Sequence, residues 1–234
     1  LEVAYNTVVR NSSFSGSPNG SGLIVTSATG GALDNLTVAD NGDETSDYGL
    51  SVSSSSQMTL KFSSFSNNSG RGTYIYNSYN MIIYSNRMVD HQSHTLHLWV
   101  VNDVLVARNI LESGSGDVVS AVSLHYTTDT WIENNSVTQQ GDGPEDSGIS
   151  LHYSIGNTLY NNSIGDSDAT GIRLWDDSNS NFVIDNHLLR LKGYGIQVSD
   201  GLYNLVSGNI LEEIKEQYAL YVAIEGAWNT FSGN

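Results

Sequence analysis

Residues 148–174 read GISLHYSIGNTLYNNSIGDSDATGIRL and contain one complete unit of an internal repeat. A small residue followed by an apolar-x-apolar triplet opens the unit at Gly148, and the next unit opens in the same way at Gly171. Between them lies Asn162, with the apolar Ile164 two places after it. A unit this short cannot bury its apolar residues alone, so this pattern predicts a fold of stacked units.

The same opening occurs nine times along the chain, and successive starts are 23 to 27 residues apart. The starts are Gly22, Gly49, Gly72, Thr95, Ala121, Gly148, Gly171, Gly195 and Ala219. A second column follows each start at Asn35, Ser63, Asn86, Asn109, Asn135, Asn162, Asn186, Asn209 and Asn234. Short strands with period-two alternation that stack about 4.8 Å apart satisfy both columns. The asparagines are expected to hydrogen-bond the backbone of the next turn.

These columns predict an all-β, right-handed parallel β-helix of about ten rungs, with roughly 24–25 residues in each rung. Residues 1–234 are interpreted as a single domain. The chain starts at Leu1 and stops inside a rung at Asn234, so it is interpreted as a piece of a longer protein. Uncapped ends of a β-helix expose edge amides, which predicts contacts there with flanking domains or neighbouring subunits. Residues 211–218 could make one helical turn, but they lie before the final rung and are a poor cap.

The composition narrows the class of partner. The formal net charge is −16, from 25 acidic and 9 basic residues, and such a surface repels nucleic acid and anionic membranes. The chain has no cysteine, which excludes disulfides and thiolate metal sites, and no apolar run long enough to span a membrane. We expect a secreted or cell-surface protein that carries no cofactor.

Two segments carry a resemblance to known proteins, Asn-Asn-Ser-Val at 134–137 and Asn-Asn-Ser-Ile at 161–164. With their Gly-apolar-x-apolar partners they resemble the β-helix repeats of carbohydrate-binding and sugar-hydrolase proteins, a pectin-lyase-like superfamily that also includes C5-epimerases and NosD-type proteins. The resemblance implies the architecture and a polysaccharide partner. The chain lacks the Asn-Thr-Asp, Gly-His-Gly and Arg-Ile-Lys patterns of pectin hydrolases and the Asp-Pro-His-Asp of mannuronan epimerases. Catalytic residues of those enzymes therefore do not transfer to this chain.

An aromatic and imidazole stripe marks the candidate site. With the small residue as position zero, positions one and three are expected to face the core and positions two and four the solvent. Grouped exposed aromatic residues indicate a binding surface, and Trp and Tyr faces stack on sugar rings. The predicted substrate-binding residues are Tyr74, Tyr76, His97, Trp99, Tyr126, Tyr153, Trp175 and Asp200. Alternatively, these rings only cover the sheet.

Two kinds of catalysis fit this stripe. A glycoside hydrolase needs two carboxyl groups beside the bond, which Asp176 and Asp177 would supply, with Asp200 one rung away. A lyase or epimerase needs a base and a charge neutraliser, for which His125 or His152 with Arg173 are the candidates. Two long turns, residues 112–120 and 138–147, are expected to wall the groove.

Two other interpretations fit the same residues. His125, His152 and His97 on neighbouring rungs could share a metal ion, as in a metal-related periplasmic protein of the NosD type. A rigid acidic solenoid could instead be a structural element of a cell surface or an adhesin stalk. A turn column at Asp129, Asn157, Asn181, Asn204 and Asn229 is explained by backbone hydrogen bonding alone. The stripe is concentrated on the central rungs, which favours a polysaccharide-engaging protein, a hydrolase or a lyase.

Overall fold

The computed structural model describes residues 2–44, 46–114, 120–138, 141, 146–223 and 228–234, whose regular structure consists of β-strands. Three long strands turn a corner and serve two faces: β3 (Leu23–Asp34), β8 (Arg71–Tyr84) and β10 (Leu96–Ala107). Their first halves belong to the first column of strands, with β5 (Tyr48–Ser53), β12 (Ser120–His125), β15 (Ser147–His152), β18 (Thr170–Trp175), β21 (Ile196–Val198) and β24 (Leu220–Val222).

Two further columns complete each turn. The second column holds β1 (Glu2–Arg10), β6 (Ser56–Lys61), β13 (Trp131–Glu133), β16 (Thr158–Tyr160), β19 (Phe182–Ile184), β22 (Leu205–Ser207) and β25 (Thr230–Ser232). The third holds β2 (Ser13–Ser15), β4 (Thr37–Ala39), β7 (Ser64–Ser66), β9 (Arg87–His91), β11 (Ile110–Ser113), β14 (Ser136–Thr138), β17 (Ser163–Ser167), β20 (His187–Leu191) and β23 (Ile210–Ile214).

Every strand pairs in parallel with its counterpart one turn away, as in the register of Leu124 with Leu151. The first and second columns form one sixteen-stranded sheet and the third a nine-stranded sheet. The predicted parallel β-helix is confirmed, with about nine turns. The helical turn considered for residues 211–218 is wrong, because β23 occupies Ile210–Ile214. No helix of the described chain is long and apolar enough to cross a membrane.

Positions one and three of the repeat fill the core, as expected. Leu50 and Val52 on β5, and Ile149 and Leu151 on β15, are at most 1% exposed. Position zero is small because the next turn passes close by. A Cβ atom on Gly49 would lie 2.6 Å from both the carbonyl oxygen of Gly72 and the side-chain nitrogen of Asn68.

A continuous asparagine ladder lines the corner between the second and third columns. In each step the backbone N–H and the side-chain Nδ2 of one asparagine donate to Oδ1 of the next, as from Asn135 to Asn162 at 3.1 and 3.0 Å. The same Nδ2 also donates to a carbonyl one turn back, at 2.9 Å to Val106. The ladder consists of Ser63, Asn86, Asn109, Asn135, Asn162, Asn186, Asn209 and Asn234.

Two residues assigned to ladder columns are one place out of register. Asn35 is exposed with φ +53°, and it is Leu36 whose N–H donates to Ser63 Oγ. Asp129 likewise has φ +50°, and Thr130 donates to Asn157. Both are left-handed corner residues that precede the inward-turned position, and an amide or carboxylate tolerates that conformation. Asn157, Asn181, Asn204 and Asn229 form the predicted turn column.

Candidate functional site

The position-four column forms a continuous stripe along the first sheet. Parallel pairing places Trp99 opposite His125, His125 opposite His152, and His152 opposite Trp175. Their ring centroids are 5.3, 4.1 and 4.0 Å apart, and the two imidazoles are stacked at 23°. Tyr76, 42% exposed, pairs with Trp99 at the other end. These side chains are partly exposed, so the stripe exists as expected.

The position-two column differs from the prediction. His97, Ser123, Ser150 and Arg173 are between 0 and 9% exposed, although they alternate with core residues and were expected to face solvent. His97 is enclosed by other rings, with centroids 5.3 Å from Tyr74 and 4.9 Å from His94. Ser150 hydroxyl donates to Ser120 on the neighbouring rung. The expectation that these four face solvent is therefore wrong.

His152 has both ring nitrogens engaged. Trp175 Nε1–H is a donor only, so it donates to Nε2 of His152. Nδ1 must then carry the proton, and it lies 3.3 Å from Oδ2 of Asp176. Burial, together with the charges of His125 and Arg173, lowers the pKa of His152 to about 3. The residue is a neutral imidazole whose one lone pair accepts from Trp175, so it has none left to act as a base.

His125 differs from its neighbour because its ring makes no hydrogen bond to another described residue. Burial and the charge of Arg71 lower its pKa to about 4. At neutral pH it is an uncharged imidazole that retains both a donor and an acceptor. It is therefore equipped to hydrogen-bond a neutral ligand.

The histidine cluster is a poor metal site. His94 Nδ1 accepts the Ser120 N–H at 3.0 Å, and His152 uses its single lone pair on Trp175. A neutral imidazole has only one lone pair, which leaves His97 and His125 as potential ligands. The described residues hold no group of three His, Cys, Asp or Glu side chains arranged for a metal ion.

An exposed tyrosine pair stands at the corner beside the stripe. Tyr126 and Tyr153 follow the two stacked histidines, are 50% and 43% exposed, and stack at 5.0 Å and 7°. Their φ angles of +53° and +48° belong to the left-handed corner conformation, which turns the chain and directs both rings outward. The stacking follows from the in-phase repeat, which places equivalent residues about 4.8 Å apart.

Two grooves flank this pair. One, of about 300 Å³, is lined by Tyr153, Asp176, Asp177, Asp200 and Leu202. The other, of about 430 Å³, is more apolar, and Tyr79, Val100 and Tyr126 are in its wall. The three predicted carboxylates therefore meet in one groove. The charge of Asp176, with burial and further neighbouring groups, raises the pKa of the Tyr153 phenol.

Three stripe residues were missed because they precede position zero. Tyr48 stacks on Tyr74 at 5.0 Å, and the guanidinium of Arg71 lies over both rings at 5.8 and 5.2 Å. His94 occupies the same repeat position. Their common phase, one residue before the small residue that opens each unit, was the available signal. Arg173 lies 3.6 Å over Trp175 at the far end.

The expected groove walls fall largely outside the described residues. The two long turns expected to wall the groove include several residues outside the described part of the chain, namely 115–119, 139–140 and 142–145. Asp117, Asp142 and Glu145 are among them. Asp146 is described and is 1% exposed, so it is a buried residue and not a wall of an open groove.

Several solved structures are similar in fold to this chain. DFA-IIIase from Arthrobacter chlorophenolicus A6 has a TM-score of 0.67 and 16% identity, over 88% of this chain and 56% of that one. The periplasmic alginate epimerase AlgG has 0.65 and 15%, over 87% and 51%. A tailspike protein of the Escherichia coli O157:H7 bacteriophage CAB120 has 0.71 and 12%, over 89% and 34%.

The likeness to these structures is one of fold, and this chain spans between a third and three fifths of their length. No curated protein matches the chain in sequence. The family model described as right handed beta helix region matches residues 2–143 and 117–234. The chain belongs to the right-handed β-helix family.

Proposed function

We propose that this protein binds polysaccharide along the tyrosine corner and hydrolyses it in the acidic groove. The observation that carries the proposal is the exposed stack of Tyr126 and Tyr153 between two grooves, one of which holds three carboxylates. Parallel aromatic faces pack against the C–H faces of sugar rings, and carboxylates accept hydrogen bonds from sugar hydroxyls.

The shape of the corner suits a linear polymer. Groove, tyrosine pair and groove follow one another along the solenoid axis, because their residues come from successive rungs. Each rung advances about 4.8 Å, which is close to the length of one sugar ring in an extended chain. A polysaccharide that runs along the axis would place consecutive sugars on consecutive rungs. His125, Trp99 and Tyr76 on the adjoining stripe would extend the contact.

The chemistry favours hydrolysis over elimination. Elimination from a uronate needs a base and a cation, but His152 uses its Nε2 lone pair on Trp175, and Arg173, the predicted cation, is only 9% exposed. His125 keeps its lone pair, so the burial of Arg173 is what disfavours elimination. Hydrolysis needs two carboxyl groups beside the scissile bond. Asp176 lies near His152 Nδ1, so we assign the two roles to Asp177 and Asp200, which both line the groove, with Asp176 as a positioning residue.

The similar structures support a carbohydrate ligand and an extracellular setting. Two of them are a sugar-processing enzyme and a periplasmic alginate epimerase, and the third is a phage tailspike. A net charge of −16 repels nucleic acid, which agrees with a protein that does not bind it. We propose secretion or display on the cell surface.

The tyrosine stack gives the first test. The double variant Tyr126→Ala/Tyr153→Ala should bind its glycan at least about tenfold more weakly on a glycan array, because two stacking faces are lost. Tyr5→Ala/Tyr218→Ala is the matched control, since these tyrosines are 79% and 66% exposed near the two ends of the chain. If the unchanged protein binds no glycan, the groove has no such ligand and a structural surface role takes its place.

The acidic groove gives the second test. Asp177→Asn and Asp200→Asn should each lower the release of reducing ends at least about a hundredfold on a bound glycan, with little loss of affinity. Asparagine tolerates their left-handed backbone, with φ +58° and +56°, so the fold should persist. Asp185→Asn, an exposed carboxylate with φ +53° on another corner, is the control. Products with ultraviolet-absorbing double bonds would instead identify a lyase and contradict hydrolysis.

A further inference from the structure

A second row of aromatic side chains lies on the second-column strands, away from the grooves. Trp131 on β13 and Phe182 on β19 are 49% and 41% exposed, whereas Ile132 and Val183 beside them are fully buried. Tyr160, on the intervening strand β16, is 37% exposed. Because side chains alternate along a strand, all three rings lie on the outer surface of the solenoid. We call Trp131, Tyr160 and Phe182 the aromatic row.

The distance between the two larger rings is set by the stacking of the rungs. Trp131 pairs with Thr158, and Thr158 pairs with Phe182. Two steps of parallel pairing separate their Cα atoms by about 9.6 Å. Thr158 is only 8% exposed between them. Asparagine ladders flank these strands on both sides, through Asn157 and Asn162, and keep this spacing rigid.

The face that carries the row is nearly uncharged, although the chain as a whole has a net charge of −16. The outward residues of β13, β16, β19 and β22 include a single charged side chain, that of Glu133. The complement of such a surface is a neutral ligand. A polyanion would gain nothing from this face and would be repelled by the rest of the molecule.

The row is too narrow for a stable contact with a second copy of the chain. Extended by Ile82, Leu105 and Leu205, it covers six strands, or about 24 Å along the axis. Each strand contributes two outward side chains about 7 Å apart, so the apolar strip covers roughly 200–300 Å². A stable protein–protein interface buries about 800 Å² on each partner. A long, narrow polymer fits this strip better than another protein does.

We infer that the aromatic row is a second carbohydrate-binding surface, for a neutral β-1,4-linked hexose polymer. In such a flat chain every second sugar presents the same face, and this two-sugar repeat is close to the distance between Trp131 and Phe182. The C–H face of each sugar packs on a ring, and the Trp131 indole and Tyr160 hydroxyl reach sugar oxygens. The surface is independent of the grooves, and would hold the protein on a solid polysaccharide.

Binding to insoluble polymers tests this inference. We expect the unchanged protein to be depleted from solution by microcrystalline cellulose or β-chitin, and Trp131→Ala/Phe182→Ala to bind at least about tenfold more weakly. Trp131→Tyr/Phe182→Tyr should restore most of the binding, because rings return to both places. Ile110→Ala/Ile210→Ala is the control, since these residues are 49% and 55% exposed on the third column.

Three outcomes would overturn the inference. In the first, the unchanged protein binds neither polymer. In the second, Trp131→Ala/Phe182→Ala binds as tightly as the unchanged protein. In the third, sedimentation shows that the unchanged protein is a dimer and that the same double variant is a monomer. The last result would identify the row as a contact between copies. The groove variant Tyr126→Ala/Tyr153→Ala should still bind cellulose or chitin, so a failure at the grooves is distinguishable from a failure at the row.

Discussion

Asn162→Ala is expected to lower the free energy of unfolding by about 3 to 6 kcal/mol, measured by denaturant titration. Asn162 is 1% exposed and sits in the middle of the ladder. Its Oδ1 accepts both the N–H and the Nδ2 of Asn135, at 3.1 and 3.0 Å, and its own Nδ2 donates to the Ile132 carbonyl at 2.8 Å. Alanine removes these contacts and leaves buried polar groups without partners, each at a cost of about 1–3 kcal/mol.

The neighbouring residue supplies a matched control. Asn161 is exposed, has φ +50°, and makes one similar side-chain bond, at 2.7 Å to Asn134. Asn161→Gly keeps the left-handed backbone and loses only a solvent-accessible bond, so it should change the free energy of unfolding by less than about 1 kcal/mol. Equal effects of the two substitutions would mean that the ladder contributes no more than any surface asparagine.

Acidification from pH 7 to pH 4 is expected to destabilise the protein, with about 3 kcal/mol of the loss due to His91 alone. A second, shorter ladder follows the third column of strands and consists of Asn41, Asn68 and His91. His91 is fully buried there and stands where the two preceding turns have asparagine. Its Nδ1 accepts the Asn68 N–H at 3.3 Å. Protonation of Nδ1 would break that bond and place a charge in the core. Burial lowers the pKa of His91 to about 4.

The direction of the effect follows from proton binding. In the unfolded chain a histidine binds its proton near pH 6.5, whereas folded His91 does so only near pH 4. Between these values the unfolded state holds one more proton, so stability is complete above about pH 6.5 and falls steadily as the pH approaches 4. His125 and His152, whose pKa values are also lowered, add to the loss in the same direction.

The variant His91→Asn isolates this contribution. Asparagine can accept the same Asn68 N–H, as Asn68 itself does for Asn41, but it does not titrate. The difference in unfolding free energy between pH 7 and pH 4 should therefore be about 3 kcal/mol smaller in the variant. A variant with the same acid dependence as the unchanged protein would contradict a neutral, buried His91.

Repetition made much of this protein predictable. The triplet starts and the asparagine column were visible in sequence, and the core at Leu50 and Val52 and the ladder at Asn162 lie where the pattern indicated. The ring stripe of Trp99, His125 and His152 follows from the same phase. A parallel solenoid converts sequence period into spatial neighbourhood, because equivalent residues of adjacent turns pair in register.

The repeat did not predict which residues hydrogen-bond to each other or how deeply each outward-facing residue is buried. Asn35 and Asp129 are one place out of register, because a left-handed corner residue and the inward residue after it have similar composition. His97 and Arg173 are buried despite their outward phase, since burial also depends on what covers the sheet.

The sequence by itself determined the β-helix, its rung length, its core and the columns that carry the candidate site, because each is a property of the repeat. Only the tertiary structure decided that Trp175 donates to Nε2 of His152 with Asp176 3.3 Å from its Nδ1, and that Trp131 and Phe182 lie two rungs apart on one nearly uncharged face. The contacts of His152 depend on the directions in which side chains of adjacent turns point. The placement of Trp131 and Phe182 depends on strand register, which varies with the loop lengths and is not contained in any one repeat.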